Sequence, residues 1–225
     1  MQDTHSHFAD AAAVASYAAD TQRKVPALAD LHRMATLLLA ESAPEAAHVV
    51  VVGAGGGLEL AAMAAARPGW RFTGVDPSPA MLDLARQAVA PFADRIQLVN
   101  GTIDQAAAGP FDGATCLLTL HFLERDERLR TLREIRRRLR PGANFVAAHH
   151  APPSDAEHWI ARSVAFGGGA IPDPASAAAS AKLMTQRLPL LTPAVEEDLL
   201  REAGFVDVAL FYAALSFRGW VATAG

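Results

Sequence analysis

Cysteine is nearly missing from this chain, with Cys116 the only one among 225 residues. An intramolecular disulfide is thereby excluded, and the composition suits a reducing compartment. Long apolar runs are missing too. Hydrophobic residues make up 51% of the chain, but much of that is alanine, and no segment has the uninterrupted apolar length of a membrane span. Positive charge is in deficit, with 20 Lys and Arg against 24 Asp and Glu for a formal net charge of −4. Nothing electrostatic therefore points to nucleic acid or an anionic membrane as partner. The opening residues Met1–Gln–Asp–Thr–His–Ser–His lack the basic and apolar regions of a secretion signal. These deficits leave a cytoplasmic enzyme acting on a small molecule as the expectation. The length fits one core, hence a single domain with an insertion.

The richest stretch runs from Val49 to Leu60. Val49, Val50, Val51 and Val52 lead straight into Gly53–Ala–Gly–Gly–Gly57, and a helical pattern opens at Leu58. A continuous apolar run of this kind reads as a strand buried on both faces. The glycines allow a sharp turn and let the backbone approach a ligand with no Cβ in the way. The free amides at the start of the following helix point into the same crevice. A second strand, Arg71–Phe–Thr–Gly–Val75, ends at Asp76. That places a carboxylate about twenty residues beyond the glycines, the spacing at which an acid takes a ribose hydroxyl pair.

Around these landmarks the chain alternates. A helical segment over 8–43 carries Leu28, Leu31, Met34, Leu38 and Leu39 on one face. Strands follow at 48–52, 71–75, 95–100, 114–118 and 144–149. Helices are expected at 58–66, from a Ser78 cap through residue 90, and over 125–139 with Pro141–Gly142 as the stop. Residues 193–203 form a last helix, and runs at 205–211 and 215–222 pair as an antiparallel hairpin at the sheet edge. The order predicts an α/β, doubly wound, seven-stranded sheet, mostly parallel, with helices on both faces. Residues 151–191 interrupt the alternation with prolines, Gly167–Gly–Gly169 and two helical stretches. We expect a helical lid or substrate-recognition insertion there.

Taken together, these residues resemble the class I S-adenosylmethionine-dependent methyltransferases, whose fold is Rossmann-like. The likeness covers nearly the whole chain after residue 45. It rests on the Gly53–Gly57 turn, Asp76, the Asn100–Gly–Thr–Ile103 turn, Phe111–Asp–Gly–Ala114, Leu139–Arg–Pro–Gly142, Ala203–Gly–Phe205 and the closing hairpin. The hairpin separates this family from dehydrogenase-type domains. The resemblance implies a helical cap over 1–45 and a cofactor-binding domain over 46–225. It implies that Gly53, Ala54, Gly55 and Gly57 lie against the methionine and ribose portions of the cofactor. Asp76 would hold the ribose hydroxyls, Pro77 and Met81 would sit beside the adenine, and Thr102 and Ile103 would flank the base. Leu117 and Leu118 would border the methionine end.

The chain departs from the family twice. Val51 stands where relatives commonly carry an acid for the cofactor's amino group, and Thr102 offers only a hydroxyl where many carry a carboxylate. The Val51 departure gives the turn a look of NAD-dependent enzymes, although Gly55–Gly–Gly57 with Leu58–Glu–Leu60 fits the methyltransferase pattern better. Within the family, Leu117–Leu–Thr–Leu–His–Phe–Leu123 and Phe217–Arg–Gly–Trp–Val221 are similar to the carboxy-S-adenosylmethionine synthases. Those enzymes place an arginine where Leu183 falls and a tyrosine where Leu28 falls, so methyl transfer is the expected chemistry. A non-catalytic cofactor-binding module, dimeric through its N-terminal helices, is a further alternative.

Methyl transfer from a sulfonium asks the protein chiefly for alignment and exclusion of water, and for a base only if the acceptor holds a proton. The candidates are His121, beyond the fourth strand, and His149 and His150, at the end of the fifth. His149, His150 and His158 lack metal-ligand spacing, so no metal is expected. Tyr17, Arg23 and Lys24 in the N-terminal region are candidates for contact with the cofactor carboxylate or the acceptor. Trp159 and Phe166 in the insertion motivate an apolar or aromatic acceptor. Arg130, Arg133, Arg136 and Arg137 fall on the solvated face of a helix whose buried stripe is Leu129, Leu132, Ile135 and Leu139.

Overall fold

The computed structural model describes residues 19–168 and 174–225. Its strands are β1 (His48–Val52), β2 (Arg71–Asp76), β3 (Ile96–Asn100), β4 (Phe111–Leu117), β5 (Leu139–His150), β6 (Phe205–Ala214) and β7 (Phe217–Ala224). Among the described residues, the helices α1 (Leu28–Ala40), α2 (Leu58–Ala66), α3 (Pro79–Ala88) and α4 (Arg125–Arg138) precede or link the parallel strands. After β5 come α5 (Ala156–Gly167), α6 (Pro174–Arg187) and α7 (Pro193–Glu202). The seven strands form one sheet in the order β3-β2-β1-β4-β5-β7-β6. β1 to β5 pair in parallel, and β7 runs antiparallel to both β5 and β6.

The valine run shows why the sheet is covered on both sides. Val49 and Val51 enter one core with Leu31, Leu39, Leu60 and Met63. Val50 and Val52 enter the other with Leu129, Leu132, Ile135 and Leu199. Side chains alternate across a strand, so four consecutive apolar residues are needed to feed two cores. Each such burial stabilises by roughly 1.5–3 kcal/mol. The α4 stripe works the same way, since Leu129, Leu132 and Ile135 are buried, as is Leu139 at the start of β5.

Several element limits differ from the sequence expectation. In the described part, the helical segment expected over 8–43 is broken: residues 19–24 are helical, and the chain then turns at Val25–Pro26–Ala27, with Ala27 at φ 51°. Proline cannot donate to a helix, and its freed neighbourhood is used elsewhere, since the Pro26 carbonyl accepts the Tyr212 hydroxyl at 2.7 Å. The start of that segment, with Tyr17, lies outside the described residues. α3 ends at Ala88, and a 3-10 turn takes over from Ala90. β4 begins at Phe111, earlier than expected, because Phe111 is buried and pairs with Leu139. Pro141–Gly142 does not stop α4. The helix has already ended at Arg138, and the Pro–Gly pair lies within β5, where the register with β4 shifts between Phe111 and Gly113. Gly142 has φ 77°, a conformation glycine adopts at no steric cost.

Candidate functional site

The sheet order reverses direction between β1 and β4, and in open α/β sheets ligands bind outside the carboxyl ends of the strands at such a point. The two strand ends meet closely there. A Cβ on Gly53 would lie 2.0 Å from Thr119 Oγ1, and Gly53 itself has φ 73°. The Gly53 and Ala54 amides both donate to the Val75 carbonyl at 2.9 Å, which ties the turn to β2. Gly57 has φ 80°, and a Cβ there would come within 2.9 Å of the Ala85 backbone in α3. Glycine at these positions is set by backbone conformation and close packing together.

Asp76 completes the turn. Its Oδ2 accepts from the Gly55 amide at 2.9 Å and its Oδ1 from the Ser78 amide at 2.9 Å. Next to it, Pro77 is exposed and Met81 is buried in the first turn of α3. Asn100 Nδ2 donates to the carbonyls of Asp76 and Pro77, both at 3.2 Å. Thr102 is exposed, and its hydroxyl donates to Asp104 Oδ2 at 2.8 Å, so its oxygen can still accept. The Ile103 side chain is fully buried in the core with Val50 and Val52.

A small cavity opens beside the glycine turn. It is lined by Leu28 and His32 from α1, Gly53 and Ala54 from the turn, Glu59 from α2, and Leu117 and Leu118 from the end of β4. Leu118 takes φ 57°, a left-handed conformation that is costly for a leucine, and its amide donates to the Ala148 carbonyl at 2.6 Å. Glu59 is 7% exposed and its Oε1 has no hydrogen-bond partner. Burial pushes the Glu59 carboxyl up to about 8, opposed by the Thr115 hydroxyl alongside. Burial likewise drives His32 down to about 4. A larger cavity of about 540 Å³ lies at the opposite, amino edge of the sheet, between Ala40–Glu45 and Ala66–Trp70. It is far from the strand ends that carry the turn.

The three candidate histidines gather at the ends of β4 and β5. The His121 ring centroid is 5.1 Å from that of His150 and 6.3 Å from that of His149. They meet different neighbours. His149 Nε2 lies 3.0 Å from Glu196 Oε1, and the ring packs against Trp220. Glu196 also binds Nη1 of the buried Arg128, whose Nη2 donates to the Leu123 and Pro189 carbonyls at 2.9 and 3.0 Å. His150 stacks on Phe217 with centroids 3.9 Å apart, and its Nδ1 is 2.7 Å from Ser216 Oγ. Burial, with His149 nearby, pushes His150 down to about 3, and burial with both neighbouring histidines holds His121 well below its ordinary value. Both rings are therefore neutral at physiological pH.

Among the described residues no group of three or more His, Cys, Asp or Glu is arranged to hold a metal ion. His158 is exposed on α5, away from the strand-end cluster. Arg23 and Lys24 pair with Asp20, and Arg23 also donates to the Gly167 carbonyl, so the N-terminal segment touches the end of α5. Trp159 stacks under Arg162 at 4.4 Å and donates to Ser154, whereas Phe166 is half exposed. Leu183 is 54% exposed. Glu59, His32 and the Arg128–Glu196 pair escaped the sequence reading. For Glu59 a signal existed: it is a lone acid on the helical face shared with Met63 and Leu60, residues that are fully buried.

Comparison with known proteins follows this geometry. Residues 50–145 match the methyltransferase domain family. The seven-stranded fold is methyltransferase-like as well. The chain is 28% identical over 124 residues to a carboxy-S-adenosyl-L-methionine synthase of Campylobacter lari, covering 55% of this chain and 53% of that protein. Its fold matches an O-methyltransferase family protein from Burkholderia thailandensis with TM-score 0.71 at 16% identity, over 97% of this chain and 61% of that one. It also matches PigF, solved with S-adenosylhomocysteine, with TM-score 0.70 at 17% identity, over 96% and 61% of the two chains. The chain thus spans between half and two thirds of the length of these proteins. S-adenosylmethionine is the cofactor that the resemblance implies, and the residues present fit it. Asp76 offers carboxylate oxygens where the resemblance puts the ribose, the glycine turn removes side chains from the approach, and Glu59 Oε1 is a buried polar atom still lacking a partner.

Proposed function

We propose that this protein transfers a methyl group to a small-molecule acceptor by in-line displacement at a sulfonium. The observation that carries the reading is the meeting of the Gly53–Gly57 turn, Asp76 and the Leu117–Leu118 corner at the switch point of the sheet. S-adenosylmethionine supplies an already activated methyl when bound. The chain's own part is to hold, orient and exclude water. Gly53, Ala54, Gly55 and Gly57 give the backbone close approach, and Asp76 accepts from the ribose hydroxyls. Pro77 and Met81 bracket the adenine with the backbone of Ile103, and the Thr102 oxygen accepts from its amino group. Leu117 and Leu118 wall the methionine end.

His150 is the residue we assign to the acceptor, with His121 beside it. Ser216 fixes its Nδ1 edge, and its neutral ring can accept a hydrogen bond from an acceptor hydroxyl. A ring held near 3 is a weak base, so its contribution is orientation more than proton removal. His149, committed to Glu196, acts by fixing the end of β5. The O-methyltransferases among the structural neighbours motivate a hydroxyl as the acceptor group. The region at 1–45 is assigned as a cap and 151–191 as a lid. Two observations support this: α1 lines the cavity, and Arg23 bonds to Gly167. Carboxyl transfer is less well supported, because Leu183 is exposed and Leu28 is an apolar wall of the cavity.

Calorimetry with S-adenosylhomocysteine and with NAD tests the reading. Binding of the first and not the second is expected, and the reverse would overturn it. Mass spectrometry of the protein as purified then looks for a retained acceptor.

A further inference from the structure

We propose that Glu59 is the anionic anchor for the cofactor's amino group, standing in for the acid that Val51 replaces, and that it gives up a proton as the cofactor binds. The inference rests on the cofactor-binding reading above and adds a residue and a protonation step to it.

Val51 points into a core with Val49 and Leu60 and is fully buried, so β1 brings no charge to the methionine end. Glu59 reaches the same place from the other side of the turn. It is the second residue of α2, and it lines the cavity with Gly53, Ala54, Leu117 and Leu118. A carboxylate buried without a counter-charge costs several kcal/mol, so such a group stays neutral until a cation arrives. The groups facing Glu59 are the His32 ring from α1 and the Thr115 hydroxyl from β4, and the Cys116 thiol on the other face of β4 is near enough to feel its charge. None is a cation at neutral pH, because burial keeps His32 uncharged and pushes the Cys116 thiol up. Among the described residues no Lys or Arg forms an ion pair with Glu59. The amino end of a helix also favours negative charge there once the site is filled.

The step balances simply. The Glu59 O–H bond breaks, the proton passes to solvent, and the carboxylate pairs with the ammonium group that enters. His32, a neutral ring in the same cavity, remains available to the carboxylate end of the same amino-acid portion.

The test is titration calorimetry at pH 7 with S-adenosylhomocysteine in two buffers of different ionisation enthalpy. The parallel probe is 5′-methylthioadenosine, which keeps the adenosine and lacks the amino-acid portion. The wild-type chain should release close to one proton per S-adenosylhomocysteine and none with methylthioadenosine. The release should fade above pH 9. Glu59→Gln should abolish the release and weaken S-adenosylhomocysteine by about 10- to 100-fold, while methylthioadenosine affinity holds. Methylthioadenosine binding also shows that the variant is folded. Binding of S-adenosylhomocysteine with no proton release, or with unchanged affinity in Glu59→Gln, overturns the assignment of Glu59 and leaves the cofactor reading standing. Binding of neither probe to the wild-type chain overturns both.

Discussion

At the scale of single residues, Asp76 holds two backbone amides and is the assigned acceptor for a ribose diol. Replacing it by alanine removes charge-assisted bonds of about 1.5–3 kcal/mol each. We expect S-adenosylhomocysteine affinity to fall at least 10-fold by calorimetry, and an unchanged value would remove Asp76 from the site. Gly57 is constrained twice, by φ 80° and by the Ala85 backbone at 2.9 Å from any Cβ. Gly57→Ala should cost about 1–2 kcal/mol from backbone conformation alone and more from the close approach. A clear drop in Tm by differential scanning calorimetry is the expected reading. Both residues were legible in the sequence because glycine and a strand-end acid answer local demands. Glu59 was legible only as a lone acid on an apolar helical face, and the tertiary packing of α2 is what shows that its oxygen is buried without a partner. Ile103 is a related case: its side chain faces the core, which its position after Asn100–Gly–Thr102 does not reveal.

Between elements, α4 and α7 are joined by a charge pair inside the protein. Arg128 and Glu196 are almost fully buried, and His149 from β5 shares the carboxylate. Burial acts to raise the Glu196 carboxyl, but His149 and Arg128 outweigh it and leave it below its ordinary value. Its stabilisation is therefore present above the unfolded carboxylate value and is lost as pH falls through the lower folded one. Glu196→Ala strands a buried guanidinium and should destabilise by about 3–5 kcal/mol in denaturant unfolding. Replacing Arg128 and Glu196 together by apolar residues should recover much of that loss. The sequence predicts the leucine stripe of α4, but Arg128 looks like its exposed neighbours. Arg130, Arg133 and Arg137 do face solvent, where they pair with Asp104, Glu202 and Glu134. The β5 limits were hidden for a similar reason, since Pro141–Gly142 reads as a helix stop when the Phe111–Leu139 pairing is out of view.

For the whole molecule, buried titratable groups set the pH dependence of stability. His32 and His150 are held near 4 and 3, so the unfolded chain binds their protons first as pH falls below about 6.5. Their stabilisation is complete above that pH and declines below it, at about 1.4 kcal/mol per pH unit for each ring. Glu59 acts oppositely. With its carboxyl raised to about 8, its contribution is complete below the unfolded value and is lost as pH rises toward 8. The cofactor-free protein should therefore be most stable near pH 6.5, with denaturant midpoints falling on both sides. Glu59→Gln should remove the fall between pH 6.5 and 8, and a fall that persists in the variant would assign it to another group. The neutral histidines lead to one more outcome: kcat/KM should show no inflection from His150 near pH 6.5, and a shift of such an inflection in His150→Gln would count against its assigned role.

By itself the sequence determined the doubly wound sheet, the glycine turn and the strand-end carboxylate, because each is written in short-range patterns of apolar period and backbone permissiveness. The described residues contain no helix long and apolar enough to cross a membrane, and the apolar faces of α1, α2, α4 and α7 cover the sheet instead. Only the tertiary structure decided which charged residues lie inside. Burial is a property of neighbours brought from distant parts of the chain, as when α7 meets α4 at Arg128 or α1 closes over Glu59. The same packing that hides these groups from water sets their charge, and the chemistry at the end of the sheet depends on that charge.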